Sequence, residues 1–132
     1  MSGFIPKPIL DSDSRPFWEG LQKRELWIQQ CNDCHQHIFY PRSICPHCFS
    51  EEINWLKSVG TGKIYSYTVV HRAIGPFKEQ VPFVVAIVEL DEGVRMMTRI
   101  KEDSRQISID QKVKIFFENV DEDLTLPYFE LV

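Results

Sequence analysis

The pattern of apolar and polar positions changes along this chain. From residue 63 onward it has the two-residue period of β-structure. In "KIYSYTVVHRA", Tyr65, Tyr67, Val69 and His71 alternate with Ile64, Ser66, Thr68 and Val70, which predicts a strand with those two faces. "PFVVAIVEL" (82–90) is apolar on both faces, as expected of a central, doubly covered strand. "DEG" (91–93) reads as a tight hairpin turn into "VRMMTRI" (94–100). "KVKIFFENV" (112–120) alternates again, and "TLPYFELV" (125–132) reads as a last edge strand whose pairing Pro127 limits. Residues 73–81 form a longer connection, and 102–108 carry a helical piece. Five strands in this arrangement predict a small barrel of the OB type.

The first half reads differently. Pro6 and Pro8 keep residues 1–13 extended. Ser14 can cap a helix that opens with Arg15 and Pro16. Phe17, Trp18 and Leu21 then make a short apolar stripe at helical spacing. Such a stripe usually packs in a core; being bulky and near the start of a small protein, these three residues are also candidates for docking on a partner. "LWIQQ" (26–30) and "HIFYP" (37–41) read as short strands, "INWLKSVG" leads out, and Gly60 and Gly62 punctuate the junction. The expected organisation is an N-terminal arm and helix (1–25), a cysteine-rich ribbon (26–56) and a barrel (57–132), mainly β overall.

All four cysteines lie in "CNDCHQHIFYPRSICPHC", with the spacing C-x2-C-x10-C-x2-C. Each Cys-x-x-Cys turn brings two sulfurs to one side of a knuckle. Two facing knuckles offer four thiolates at tetrahedral angles, the donor set of a structural Zn²⁺ site. Cys31, Cys34, Cys45 and Cys48 are therefore the expected ligands. Spacing alone leaves iron open as the metal. With four sulfurs in place the site is closed to water and substrate, so it folds the ribbon and does no chemistry. His35, His37 and His47 read as surface residues. His35 follows a knuckle, where a positive φ is needed that histidine tolerates better than most residues.

The chain carries 15 basic and 19 acidic residues, a net charge of −4, and no run of Lys/Arg longer than two. That argues against a nucleic-acid partner, which demands a broad positive face. No apolar run approaches the ~20 residues that cross a bilayer. The N-terminus lacks a signal-peptide pattern, so the expected location is a reducing cytoplasm, where paired cysteines bind metal rather than form disulfides.

A cysteine ribbon leading into a small barrel, with "PFWEGL", "CPHC", "GTGKIYSYTVVHRA", "PFVVAIVELDEGVR" and "LPYF", resembles the DUF35 family: a zinc ribbon followed by an OB-fold, associated with acyl-CoA. The matching stretches run from about residue 16 to the end. His35 departs from the glycine the family often carries after its second cysteine. The resemblance implies an accessory subunit, acting beside a thiolase-fold, retro-aldol or hydratase-like enzyme, whose barrel takes part in acyl-CoA binding or covers the partner's site.

A CoA thioester needs cations, an aromatic surface and a cleft. Tyr65, Tyr67, His71, Arg72 and Phe77 offer that mixture, and Arg95 and Arg99 add charge on a neighbouring strand. Each also has a structural explanation as barrel wall or solvated strand. No nucleophile elbow, phosphate-cradling glycine loop or open metal position is legible, so the expected role is non-catalytic. The alternatives are a free-standing acyl-CoA-binding protein and a single-stranded nucleic-acid-binding OB module.

Overall fold

The protein is described by a computed structural model covering residues 13–73, 78, 80–120, 122 and 124–132. The arm expected over 1–13 lies outside the described residues except for Asp13. Helix α1 (Arg15–Gln22) has Ser14 at its N-cap and Pro16 in its first turn. The Ser14 carbonyl accepts the Trp18 N–H (3.2 Å), but its side chain makes no capping bond. Packing holds the helix instead. Phe17 and Leu21 are buried to 3% and 0% exposure in one core with Leu26, Ile28, Ile64 and Phe129. This corrects their assignment as docking residues, because the chain's own core consumes both side chains. Trp18 is half-buried against the same core, edge-on to Phe17 at 5.0 Å.

Strands β1 (Trp27–Cys31), β2 (His37–Ile38) and β3 (Ile53–Lys57) form an antiparallel sheet in the order β2-β1-β3. The segment read as leading out of the ribbon is thus its third strand. β2 is shorter than the expected 37–41 strand. Beyond it, the chain pairs with a side chain: Gln29 Nε2 donates to the Arg42 carbonyl (3.0 Å), and Gln29 Oε1 accepts the Arg42 N–H (2.9 Å). The amide group of Gln29 thereby substitutes for a backbone peptide.

The barrel consists of β4 (Thr61–Val70), β5 (Phe83–Leu90), β6 (Arg95–Ile100), β7 (Lys112–Asn119) and β8 (Thr125–Leu131), closed in the order β4-β5-β6-β8-β7. That is the five-stranded Greek-key barrel expected of an OB-fold. The β5–β6 hairpin turns at Gly93 (φ +100°), which the "DEG" reading anticipates. The helical piece is a 3-10 turn, Ser104–Gln106, started by the Asp103 carboxylate accepting the Arg105 N–H (2.9 Å).

Three details differ from expectation. First, the β4–β5 register skips a residue between Ile64 and Ser66, a bulge at Tyr65. Ile64 faces Val88, but Tyr67 and Val69 then face Ala86 and Val84, so these three share one side of the strand while Tyr65 takes the other, although Tyr67 stays exposed. The regular alternation expected for Tyr65, Tyr67 and Val69 does not survive the bulge. Second, β5 has one buried face, Val84, Ala86, Val88 and Leu90. Its outer residues are half-buried under long side chains such as Arg99, whose guanidinium lies 4.2 Å over the Phe83 ring. Third, β8 is not an edge. It pairs antiparallel with β7 and parallel with β6 through Ile100 and Phe129. Where the β6–β8 ladder is thin, the Thr98 hydroxyl donates to the Pro127 carbonyl (2.6 Å).

Ribbon and barrel join through a polar clamp. The Glu92 carboxylate accepts the Ser58 hydroxyl (2.9 Å) and the Val59 N–H (3.0 Å), and Ser58 Oγ accepts the Gly60 N–H (3.0 Å). Gly62 is needed for close approach, since a Cβ there would lie 2.4 Å from the Glu89 carbonyl oxygen. No helix among the described residues is long and apolar enough to cross a membrane.

The burial of Leu21 gives a direct prediction. Leu21→Ala lowers stability by about 2–5 kcal/mol in a denaturant titration, as a core truncation does. A docking residue on the surface would leave the midpoint nearly unchanged.

Candidate functional site

The two knuckles are built alike. In the first, Cys31 N–H donates to the Gln36 carbonyl (3.0 Å) and His35 N–H donates back to the Cys31 carbonyl (2.9 Å). In the second, Cys45 N–H donates to the Ser50 carbonyl (2.8 Å) and Phe49 N–H to the Cys45 carbonyl (2.9 Å). Each turn requires its residue after the second cysteine to be left-handed, and both His35 and Phe49 have φ +64°. The sequence reading anticipates this at His35 and misses it at Phe49, although the offset from the cysteine is the same. The knuckles are also bonded to each other: Asn32 N–H donates to the Glu52 carbonyl (2.8 Å), and the Ser50 hydroxyl donates to Asp33.

This frame aims all four sulfurs at one point. The Sγ atoms of Cys31, Cys34, Cys45 and Cys48 lie within 4.8 Å of one another. Cys31–Cys48 and Cys34–Cys45 are 3.5 and 3.6 Å apart. These separations far exceed a disulfide bond of ~2.05 Å. They match the edge of a tetrahedron, about 3.8 Å, that follows from Zn–S bonds of ~2.3 Å. The four thiols also bear on one another's ionisation. The Cys34 N–H, helped by that of Asp33, outweighs burial and draws the Cys31 thiol down to about 7. At Cys48 the Ser50 N–H pulls downward, but burial and the other three thiols win and push it up to about 12. A bound divalent cation supplies the charge that lets all four ionise. The donor set therefore fits a closed, structural Zn²⁺ site, with Cys31 and Cys45 buried beside Ile38.

The residues expected to contact a ligand are not gathered in one place. Tyr65 stands on the outer barrel face under the Arg95 guanidinium, 3.7 Å from the ring centroid, and Arg95 bonds Glu89 (3.1 Å). Tyr67 lies on the opposite face, its hydroxyl donating to the Ile107 carbonyl (3.3 Å). His71 and Arg72 are exposed beyond the end of β4. Phe77 lies outside the described residues. Arg99 alone of this group lines a cleft of about 680 Å³, within the usual range of ligand sites.

That cleft contains residues the sequence reading missed: Phe83, Lys101, Phe116 and Tyr128. Arg99 lies between Phe83 and Tyr128 (4.2 and 5.8 Å) and bonds Gln80, while Lys101 Nζ is 4.8 Å from the Phe116 centroid. Two of the three carboxylates in the cleft are engaged: Glu102 accepts the Leu131 N–H (2.9 Å), and Asp103 is held by Arg105, which keeps its carboxyl below the usual range. Aromatic residues at outward strand positions were the available signal, but three different strands, β5, β7 and β8, contribute them.

Family models for the ChsH2 rubredoxin-like zinc ribbon domain and the ChsH2 C-terminal OB-fold domain match residues 18–54 and 55–118. A DUF35 domain-containing scaffold protein of Methanothermobacter thermautotrophicus is 38% identical over 80% of this chain and 82% of its own length. The chain belongs to the DUF35 family. A solved structure described as the Ltp2-ChsH2(DUF35) aldolase superimposes on this DUF35 chain with a TM-score of 0.84 and 36% identity, covering 95% of this chain and 98% of the other. A probable enoyl-CoA hydratase alpha subunit of Thermomonospora curvata is 37% identical over 94% of the chain, which spans only 39% of that relative's length.

Two predictions test the DUF35 metal centre. Cys45→Ser, which replaces a buried ligand, abolishes stoichiometric zinc in elemental analysis of reduced protein and unfolds the ribbon, seen as loss of amide protection over β1–β3. His35→Gly keeps the metal and stabilises the fold by roughly 1 kcal/mol, because about 1–2 kcal/mol of left-handed strain outweighs the ~0.5–1 kcal/mol of extra chain entropy that glycine loses. Thermal denaturation of zinc-loaded protein measures it.

Proposed function

We propose that this chain is a non-catalytic accessory subunit of an acyl-CoA-processing complex. It binds a thiolase-fold enzyme subunit, stabilises it and helps to form or cover its acyl-CoA site. The observation that carries this reading is the closed thiolate site: the chain's reactive sulfurs are committed to a metal with no open position, which suits a scaffold better than an enzyme. Relatives named as scaffold proteins, as a hydratase alpha subunit and as a benzoylsuccinyl-CoA thiolase subunit support it. So does the likeness to the DUF35 component of an aldolase. The partner's reaction is C–C cleavage, by thiolysis or retro-aldol chemistry, in a reducing cytoplasm where thiolates keep their metal.

Acyl-CoA meets the barrel at the Arg99 cleft rather than at the broader set of residues first considered. Phe83, Phe116 and Tyr128 offer aromatic surface, and Arg99 and Lys101 offer charge to a phosphorylated, adenine-bearing arm. Tyr65 and Arg95 instead pair with each other on the outer face.

Co-expression with the thiolase-fold subunit yields a stable hetero-oligomer with turnover that the enzyme subunit alone lacks; full activity of that subunit alone would sink the reading. Within the complex, Arg99→Ala weakens CoA binding by about tenfold or more in calorimetry, the loss expected for a charged contact, without loss of zinc. Tight CoA binding by the isolated chain would instead indicate a free-standing carrier.

A further inference from the structure

The Arg99 cleft holds one charged side chain whose partner lies nowhere in the fold. Of its three carboxylates, Glu102 accepts the Leu131 N–H (2.9 Å) and Asp103 is held by Arg105 (3.1 Å). The Glu118 carboxylate makes no hydrogen bond or ion pair among the described residues, although Glu118 is half-buried and lines the cleft. A bare carboxylate beside an anionic ligand is a cost, unless the ligand brings a donor to it.

The strand order places that carboxylate away from the cations. Across the cleft the outer barrel face runs β5-β6-β8-β7. Arg99 stands on β6 with Lys101 just beyond its end, Tyr128 on β8, and Phe116 and Glu118 on β7. Phe116 faces Tyr128 in the β7–β8 ladder, and Arg99 lies 5.8 Å from the Tyr128 centroid, so these three make one row across the sheet. Glu118 follows Phe116 by two residues and leans out on the same side of β7. From β6 to β7 is two strand spacings, about 10 Å. The cleft is thus cationic at one end, aromatic in the middle and anionic at the other. An adenine nucleotide offers the complementary order: phosphate, flat ring, and an exocyclic amine at the far edge.

We infer that Glu118 reads the adenine of CoA. The ring stacks on Phe116 and Tyr128, its amine donates to the Glu118 carboxylate, and Arg99 and Lys101 face the phosphates. This rests on the preceding reading that acyl-CoA meets the barrel at the Arg99 cleft, and it narrows the substrate class. The site selects free CoA thioesters over thioesters held on the phosphopantetheine arm of a carrier protein, because that arm has no adenine. A ligand without the amine leaves the Glu118 carboxylate desolvated and unpaired, which is the physical basis of the selection.

The test uses the complex with the thiolase-fold subunit. Calorimetry compares CoA with its deaminated analogue, in which hypoxanthine replaces adenine, and with 4′-phosphopantetheine. Deamination keeps the ring and the phosphates and puts a carbonyl where the amine was. The complex is expected to bind CoA at least tenfold more tightly than either probe, the loss expected for a hydrogen bond to a charged group. Glu118→Gln, whose amide can donate to that carbonyl, brings the ratio of CoA to its deaminated analogue close to one, with zinc content and melting temperature kept. Equal affinity for CoA and the deaminated analogue in the parent complex, or an unchanged ratio in Glu118→Gln, overturns this inference. So does 4′-phosphopantetheine that binds as tightly as CoA. If CoA binding nevertheless falls in Arg99→Ala, the acyl-CoA reading of the cleft stands. CoA binding that neither Arg99→Ala nor Glu118→Gln changes overturns both.

Discussion

Four thiolates sharing one cation are the constraint on which the rest of the molecule depends. The ribbon's own cluster is Cys31, Ile38 and Cys45, with Cys34 and Ile53 packed against it, and two of its three buried members are ligands. So small a core cannot hold three short strands. Structural zinc contributes on the order of 10–16 kcal/mol in small modules, which is ample. Fixing Cys31 fixes β1, and β1 carries Ile28 into the core that the barrel shares.

That shared core makes helix, ribbon and barrel parts of one packed body. Phe17 and Leu21 from α1 and Leu26 and Ile28 from the ribbon side meet Ile64, Val113 and Phe129 of the barrel. The Glu92 clamp on Ser58 and Val59 stiffens the link between them. Such packing keeps the ribbon and the barrel cleft in a fixed relation.

The chemistry of the site points the same way. An isolated cysteine with the thiol of Cys31, drawn down to about 7, would be a candidate nucleophile. Three other sulfurs within 4.8 Å convert it into a ligand. The chain's most reactive atoms are thereby given to architecture, and Arg95 is held by Tyr65 and Glu89 on the outer barrel face, away from the Arg99 cleft.

The sequence by itself determined what depends on near neighbours along the chain. The four metal ligands, the left-handed turn at His35, the hairpin at Gly93 and the existence of five barrel strands all follow from spacing and turn chemistry within a few residues. Tertiary structure decided what depends on pairing between distant segments. One bulge at Tyr65 moved Tyr67 to the side of Ile64 and separated two residues that strict alternation puts on the same face. Parallel pairing with β6 made β8 an interior strand despite Pro127. The Arg99 cleft draws on β5, β6, β7 and β8, and no local pattern records which outward side chains a closing barrel brings together. Phe17 and Leu21 show the same limit: an apolar stripe specifies burial, while the surface that buries it is set by the fold.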